Sequence, residues 1–264
     1  MRLGIVHCAV SVLITAFSPG VRAAQITLEP VKDNTLYEPR NAASFTSNGA
    51  GEHFFAGRVD DEGNAKLRRG LLAFDIAGNI PAGATITQVT LTLNVSRARQ
   101  SGTESFSLHT LLLDWGEGAS DAPSNEGEGT TPEAGDVTWN HTFYDTDFWT
   151  TPGGDFTPTA SATQTVNGVG AYTWGSTPTL VSDVQTWLDA PAGNFGWLVR
   201  GNEAGVTTSK RFDSRENAIL ANRPMLTVAY VPEPTCALLL TWGGLILARR
   251  RNSTRVLPRN QPKS

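Results

Sequence analysis

The chain has 264 residues, with 21 Lys and Arg against 25 Asp and Glu, a formal charge of −4. The basic excess sits at the ends: between Ala24 and Val231 there are 13 basic and 24 acidic residues, a balance of −11. Such a domain repels nucleic acid and bare anionic membrane, and its length of about 208 residues suits a single sandwich or barrel.

Met1-Arg2 gives a short positive start, Leu3 to Phe17 is largely apolar, and Pro19-Gly20 breaks the run before Val21-Arg22-Ala23. Small residues at the last and third-last positions suit signal peptidase, which places the cut between Ala23 and Ala24 and makes residues 1–23 a secretory signal. The two cysteines, Cys8 and Cys236, lie outside the exported part, whose stability then comes from burial and not from disulfides.

Gln25-Ile26-Thr27-Leu28 alternates as a strand does, and Asp33 to Glu38 continues the pattern before a Gly/Ser/Asn loop from Ser44 to Gly51. Phe54 to Val59 reads as a strand and Asp60 to Asn64 as the turn after it. Arg69 to Asp75, with its continuous apolar centre, reads as a strand buried on both faces. Val89, Leu91, Leu93 and Val95 alternate with Thr90, Thr92 and Asn94 in a strict period of two. Ser105 to Asp114 is the next strand.

From Trp115 to Pro178 the chain turns rich in Gly, Thr, Pro, Asp and Trp, with short strands at Val137 to Asn140 and Ala171 to Trp174. Leu180, Val181, Val184, Trp187 and Leu188 share one helical face between Pro178 and Pro191. Strands at Gly196 to Arg200, Lys210 to Asp213 and Met225 to Tyr230 complete residues 24–230. Many short strands and one short helix predict an all-β fold, an antiparallel β-sandwich of jelly-roll type.

Pro232-Glu233-Pro234 cannot extend the last strand, because proline has no N–H to donate. The apolar run Cys236 to Ala248 follows, then Arg249, Arg250 and Arg251. Fourteen residues lie between Pro234 and Arg249, against the roughly 20 of a comfortable membrane span. This order resembles the PEP-CTERM sorting signal. The resemblance implies that Pro232, Glu233 and Pro234 mark a processing motif for an exosortase-type membrane protease. Residues 231–251 would then form a transient hydrophobic sorting helix, with 252–264 as a basic tail longer than is usual there.

A second resemblance is carried by motifs in order. They are Lys32-Asp33-Asn34-Thr35, Arg69 to Ile76, Pro81-Ala82-Gly83-Ala84-Thr85-Ile86, Asp114-Trp115-Gly116-Glu117-Gly118 and Val137-Thr138-Trp139-Asn140. Asp183 to Trp187, Asn194 to Trp197, Phe212 to Glu216 and Arg223 to Val228 follow. The series is similar to the DNRLRE-domain family, related to disaggregatase-type and alginate-binding carbohydrate modules. It implies a secreted β-sandwich, although the name-giving motif is only echoed in Ser214-Arg215-Glu216.

Asp75 at a buried strand end needs a cationic partner, Arg215 or Arg69, and Arg215-Glu216 reads as a framework ion pair. Trp115, Trp139, Tyr144, Trp149 and Trp174 have two readings: an exposed sugar-binding platform, with Trp149 the most exposed, or local core. Arg97 with Arg99, or Arg200 with Lys210-Arg211, would be the basic patch for an anionic glycan. No cofactor is implied. A structural calcium is compatible with Asp60 to Asn64 or Asp145-Thr146-Asp147, but neither has EF-hand spacing and no metal ligand is assigned.

His53, His109 and His141 are scattered, and no nucleophile, zinc or phosphate motif occurs. Paired carboxylates roughly 5–10 Å apart hydrolyse glycosidic bonds, but nothing selects a pair. The sequence therefore reads as a non-catalytic, exported cell-envelope or matrix module that binds exopolysaccharide or is structural. The alternatives are a carboxylate-based polysaccharide-active enzyme and a permanently membrane-anchored surface protein.

Overall fold

A computed structural model describes residues 22–41, 44–59, 67–99 and 102–233. Most of the signal segment, Pro234, Arg249 to Arg251 and the Asp60 to Asn64 turn lie outside the described residues. Among the described residues no helix is long and apolar enough to cross a membrane.

The protein is all-β: a curled eleven-stranded antiparallel sheet folded into two layers, plus a small hairpin and one α-helix. The first layer contains β1 (Ala24–Leu28), β3 (His53–Arg58), β5 (Thr85–Ala98), β10 (Gly170–Trp174), β12 (Lys210–Asp213) and β13 (Met225–Val231). The second contains β2 (Lys32–Tyr37), β4 (Leu67–Ala73), β6 (Glu104–Thr110), β9 (Ala162–Val166) and β11 (Trp197–Arg200). At Gly57 and Arg58, β3 also pairs with β4 and so joins the layers. Gly57 has φ +109, and a Cβ there would meet the Ser209 backbone at 2.8 Å, so this corner needs glycine.

Strand β5 organises the first layer. Val89, Leu91, Leu93 and Val95 are buried between the layers, while Thr90, Thr92 and Asn94 face outward, as the period of two predicts. β13 and β12 line one edge of β5 in succession, and β10 pairs along the other. In the core Phe212 stacks on Phe54 with ring centroids 5.2 Å apart and meets Phe106 edge-on at 5.6 Å.

Helix α1 (Pro178–Asp189) covers the core with Leu180, Val184, Trp187 and Leu188. The Thr177 side chain accepts from the Leu180 N–H at its start. Trp187 packs on Trp197 with centroids 4.4 Å apart.

A second apolar cluster lies on the other face of β4 and β11. There Leu36, Leu71 and Leu198 meet Leu111, Trp115, Val137, Trp139 and Trp149 from the long excursion. Strand β4 is thus buried on both faces, as its continuous apolar run implied. Val137 to Asn140 is not a strand: the Thr138 hydroxyl accepts from the Asn140 and His141 N–H groups and turns the chain. The hairpin begins after this turn, with β7 (His141–Phe143) and β8 (Asp147–Phe148).

Replacing Phe212 by alanine empties the point where three rings meet. Such truncations cost about 3–5 kcal/mol, and in a domain of this size the midpoint should fall by roughly 10 °C. Thermal unfolding followed by near-UV circular dichroism checks this, with loss of the aromatic signal as the readout.

Candidate functional site

Strand β2 carries Lys32-Asp33-Asn34-Thr35 into the interior, and a buried polar run must find partners. The Asp33 N–H donates to Glu117 Oε1 at 2.8 Å, and Asp33 Oδ2 accepts from the Arg215 N–H at 2.7 Å. Asn34 Nδ2 donates to Ser47 Oγ and to the Glu117 carbonyl. Lys32 Nζ reaches Asp114 at 2.7 Å and sits over the Trp115 ring at 4.5 Å. The Lys32 and Asn34 side chains and the Asp33 N–H thus fasten the segment from Asp114 to Glu117 onto the sheet.

Arg215 closes the cluster. Its Nη1 donates to Glu117 Oε1 and Oε2 at 3.0 and 2.9 Å and to Glu216 Oε1 at 2.7 Å. One carboxylate oxygen from each of Asp33, Glu117 and Glu216 lies within 4.8 Å of the others. Among the described residues these three acidic groups could offer oxygens jointly to a hard cation, and the Arg215 guanidinium supplies the local positive charge. Burial, reinforced by the Glu216 charge, pushes the Asp33 carboxyl well above its ordinary value. Burial likewise raises Glu117 and Glu216, against the pull of Arg215. Burial opposes the charge on Arg215, but Glu117 and Glu216 outweigh it and hold its pKa up. Glu216 Oε2 is buried with no hydrogen-bond partner among the described residues.

A second polar junction lies beside it in sequence. His53 stands between Glu126 and Asp213, with Nδ1 at 3.0 Å from Glu126 and Nε2 at 3.4 Å from Asp213. Asn48 and Asn94 donate to the same two carboxylates. The consecutive residues Asp213, Ser214, Arg215 and Glu216 therefore tie β3, β5, β2 and the excursion together. As arranged, the carboxylates are bound to a guanidinium and to backbone N–H groups, which fixes loops in place.

The framework pair Arg215–Glu216 is present at 2.7 Å. Asp75 is a correction. Strand β4 ends at Ala73, so Asp75 is exposed, and its Oδ1 accepts from the Gly78 N–H in a turn. Arg69 pairs instead with Glu203 at 2.6 Å.

The exposed tryptophan platform is also overturned. Trp149, expected to be the most exposed, is 4% exposed, and Trp115, Trp139 and Trp174 are buried as well. Three indole N–H groups are satisfied inside, Trp115 by the Phe195 carbonyl, Trp149 by Thr138 and Trp174 by Phe106. Tyr144 is half-buried against His141, while its neighbour Phe148 is 62% exposed. Of the basic candidates, Arg200 pairs with Glu203, Lys210 is buried, and Arg211 donates to Ser96 and stands opposite Arg97, which like Arg99 is exposed. Asp145 sits in the exposed turn before β8, and Asp147 is the exposed first residue of β8.

Asp33 and Glu117 appear in the sequence only within the quoted motifs and His53 only as one of three scattered histidines, and Glu126 and Glu203 were not singled out. The available signal was the polar Lys32-Asp33-Asn34-Thr35 run placed inside a strand that continues into Leu36 and Tyr37. Compared with protein-family models and with curated proteins, the chain matches none.

Two outcomes follow from this geometry. A folded-state pKa above the unfolded value means that the native state keeps a proton the unfolded chain releases. Stability from Asp33 therefore falls as pH rises above about 4 toward the raised folded value. Asp33→Asn, which keeps an acceptor for the Arg215 N–H, should melt higher than wild type by an amount that grows over that window. Melting curves between pH 3 and 8 measure the difference, taken as roughly 2–4 °C per kcal/mol. Arg215→Ala strips the counter-charge from three carboxylates and should cost about 2–4 kcal/mol. That is the low end for breaking a buried ion pair, since the Arg215 side chain is 34% exposed; urea unfolding midpoints report it.

Proposed function

We propose that this chain is an exported, non-catalytic module of the cell envelope or extracellular matrix, structural in character and in contact with exopolysaccharide. Signal peptidase releases it after Ala23, and an exosortase-type membrane protease acts at Pro232-Glu233-Pro234 after transient insertion of the C-terminal hydrophobic segment. One observation carries the reading: the ordered fold fills the interval between these two sites. Strand β1 begins at Ala24, β13 ends at Val231, and Ala24 pairs with Tyr230. Both cuts therefore fall just outside one pair of hydrogen-bonded strands, and neither removes a core residue. The absence of cysteine from this interval suits a fold held by burial and ion pairs in an oxidising space.

Mass measurement on the protein recovered from its own cells tests the reading. The expected species starts at Ala24, ends near Pro232 to Pro234, and lies in the surface or matrix fraction. Recovery of an intact tail in the membrane fraction would establish a permanently anchored surface protein instead.

A further inference from the structure

The outward face of β1, β13, β10 and the adjoining Thr85–Asn94 half of β5 carries no charged side chain. On β1 it presents Gln25 and Thr27, on β13 Met225, Thr227 and Ala229, on β5 Gln88, Thr90 and Thr92, and on β10 Ala171 and Thr173. The registers align these residues in rows across the strands. Thr27, Thr227 and Thr90 form one row, Gln25, Ala229 and Gln88 another, and Met225, Thr92 and Thr173 a third. Thr27 and Thr227 share a hydrogen bond between hydroxyls at 3.2 Å, as do Thr92 and Thr173 at 2.9 Å. Ala229 is the short side chain between two glutamines, and a depression of about 190 Å³ opens there, lined by Gln25, Gln88, Thr90, Thr227 and Ala229. Among the described residues, charged side chains of β5 and β12 enter at the far border, where Arg97 stands opposite Arg211, Arg211 meets Ser96 and Asp213 meets Asn94.

We infer that this face docks a neutral, hydroxyl-rich polysaccharide, one sugar unit seated over Ala229. The inference rests on the matrix reading above and deepens it by naming the surface and the ligand class. Charge decides the class. An anionic polymer would meet no cation in these rows, Arg97 and Arg211 lying beyond them, and would be repelled by a domain of −11 between Ala24 and Val231. A protein partner would be expected to find aromatic or arginine anchors, and this face offers none, with Met225 its one large apolar side chain. What it does offer is hydroxyls and carboxamides, which both donate and accept, on strands about 4.8 Å apart. The threonine methyl groups supply apolar spots between them. The depression is smaller than the roughly 300–1,000 Å³ of a drug-sized pocket, which suits one ring of a chain lying along a flat surface.

Affinity electrophoresis tests this on the protein in the form recovered from its own cells. The gels contain hydroxyethylcellulose, dextran, galactomannan or, as the anionic control, alginate. At least one neutral polymer should retard the wild type, equally at low and at high salt. Thr90→Ala/Thr227→Ala removes two hydroxyls without adding bulk and should weaken retardation at least fivefold at an unchanged melting temperature. Ala229→Glu, which fills the depression with a charge, should abolish it.

No retardation by any neutral polymer would overturn the proposal, as would retardation by alginate alone that salt removes. Equal retardation of wild type and the double variant would move the glycan contact to another surface and leave the matrix reading standing. A dimer in light scattering that Ala229→Glu dissociates would make the occupant a second copy of the chain. The mass of the mature protein reports on export and processing independently of all these results.

Discussion

Burying Asp33 in the middle of a strand commits the chain to whatever covers it. A carboxyl 1% exposed cannot be left to water, and the strand's own cation, Lys32, is turned to Asp114 and the Trp115 ring. The backbone of Arg215 and the segment around Glu117 must therefore close over β2, and with Glu117 comes the excursion from Leu111 onward. Once there, the excursion places Trp115, Val137, Trp139 and Trp149 on the outer face of β4 and β11, making a second apolar layer. Polar satisfaction and hydrophobic burial thus fix the same segment from two sides. Neither suffices alone: tryptophans in a Gly-rich loop have no periodicity to orient them, and three neighbouring carboxylates without that packing would separate in water.

What could be read from the sequence follows from how far apart the interacting residues are. Strand β5 and helix α1 announce themselves, because periods of 2 and 3.6 are written in consecutive residues. So does burial of β4 on both faces, since an apolar run has no polar side to show. The partner of a buried charge is a different matter. Arg215 and Asp33 are 182 positions apart, and the buried strand end drew the expectation to Asp75, whose neighbours in fact turn it out to solvent. The tryptophans misled for a related reason. Gly, Thr and Pro around them signalled loop, and loop suggested exposure, yet a long loop folded over a sheet builds its own core. The Asp33 run carried a usable hint, a polar triplet where strand alternation calls for apolar residues.

Charge is distributed by function as well as by number. Acid and base concentrate in interior junctions, Asp33 with Arg215, His53 with Glu126 and Asp213, Arg69 with Glu203. Their responses to pH have opposite signs. Burial raises Asp33, Glu117 and Glu216, while hydrogen bonds and cationic partners outweigh burial at Glu126 and Glu203 and lower them. The first group favours the folded state at acid pH, and the second favours it once pH exceeds about 4. Opposed slopes flatten the net dependence, so a fold without disulfides can tolerate a changing exterior.

The neutral face belongs to the same economy of placement. Its strands β1 and β13 are the ones that receive the chain after Ala23 and release it before Pro234. Both proposed processing points therefore lie at the margin of the surface inferred to hold glycan, while the Asp33–Glu117–Arg215 junction lies on the other layer and the His53–Asp213 junction at the far end of the first. A charged face beside a segment closed by three arginines would attract that segment in cis once both are outside the membrane. An uncharged one gives the basic tail nothing to bind. The rows of threonine and glutamine thus stay open to a neutral polymer whether or not the tail remains, which uncouples the docking surface from the timing of processing.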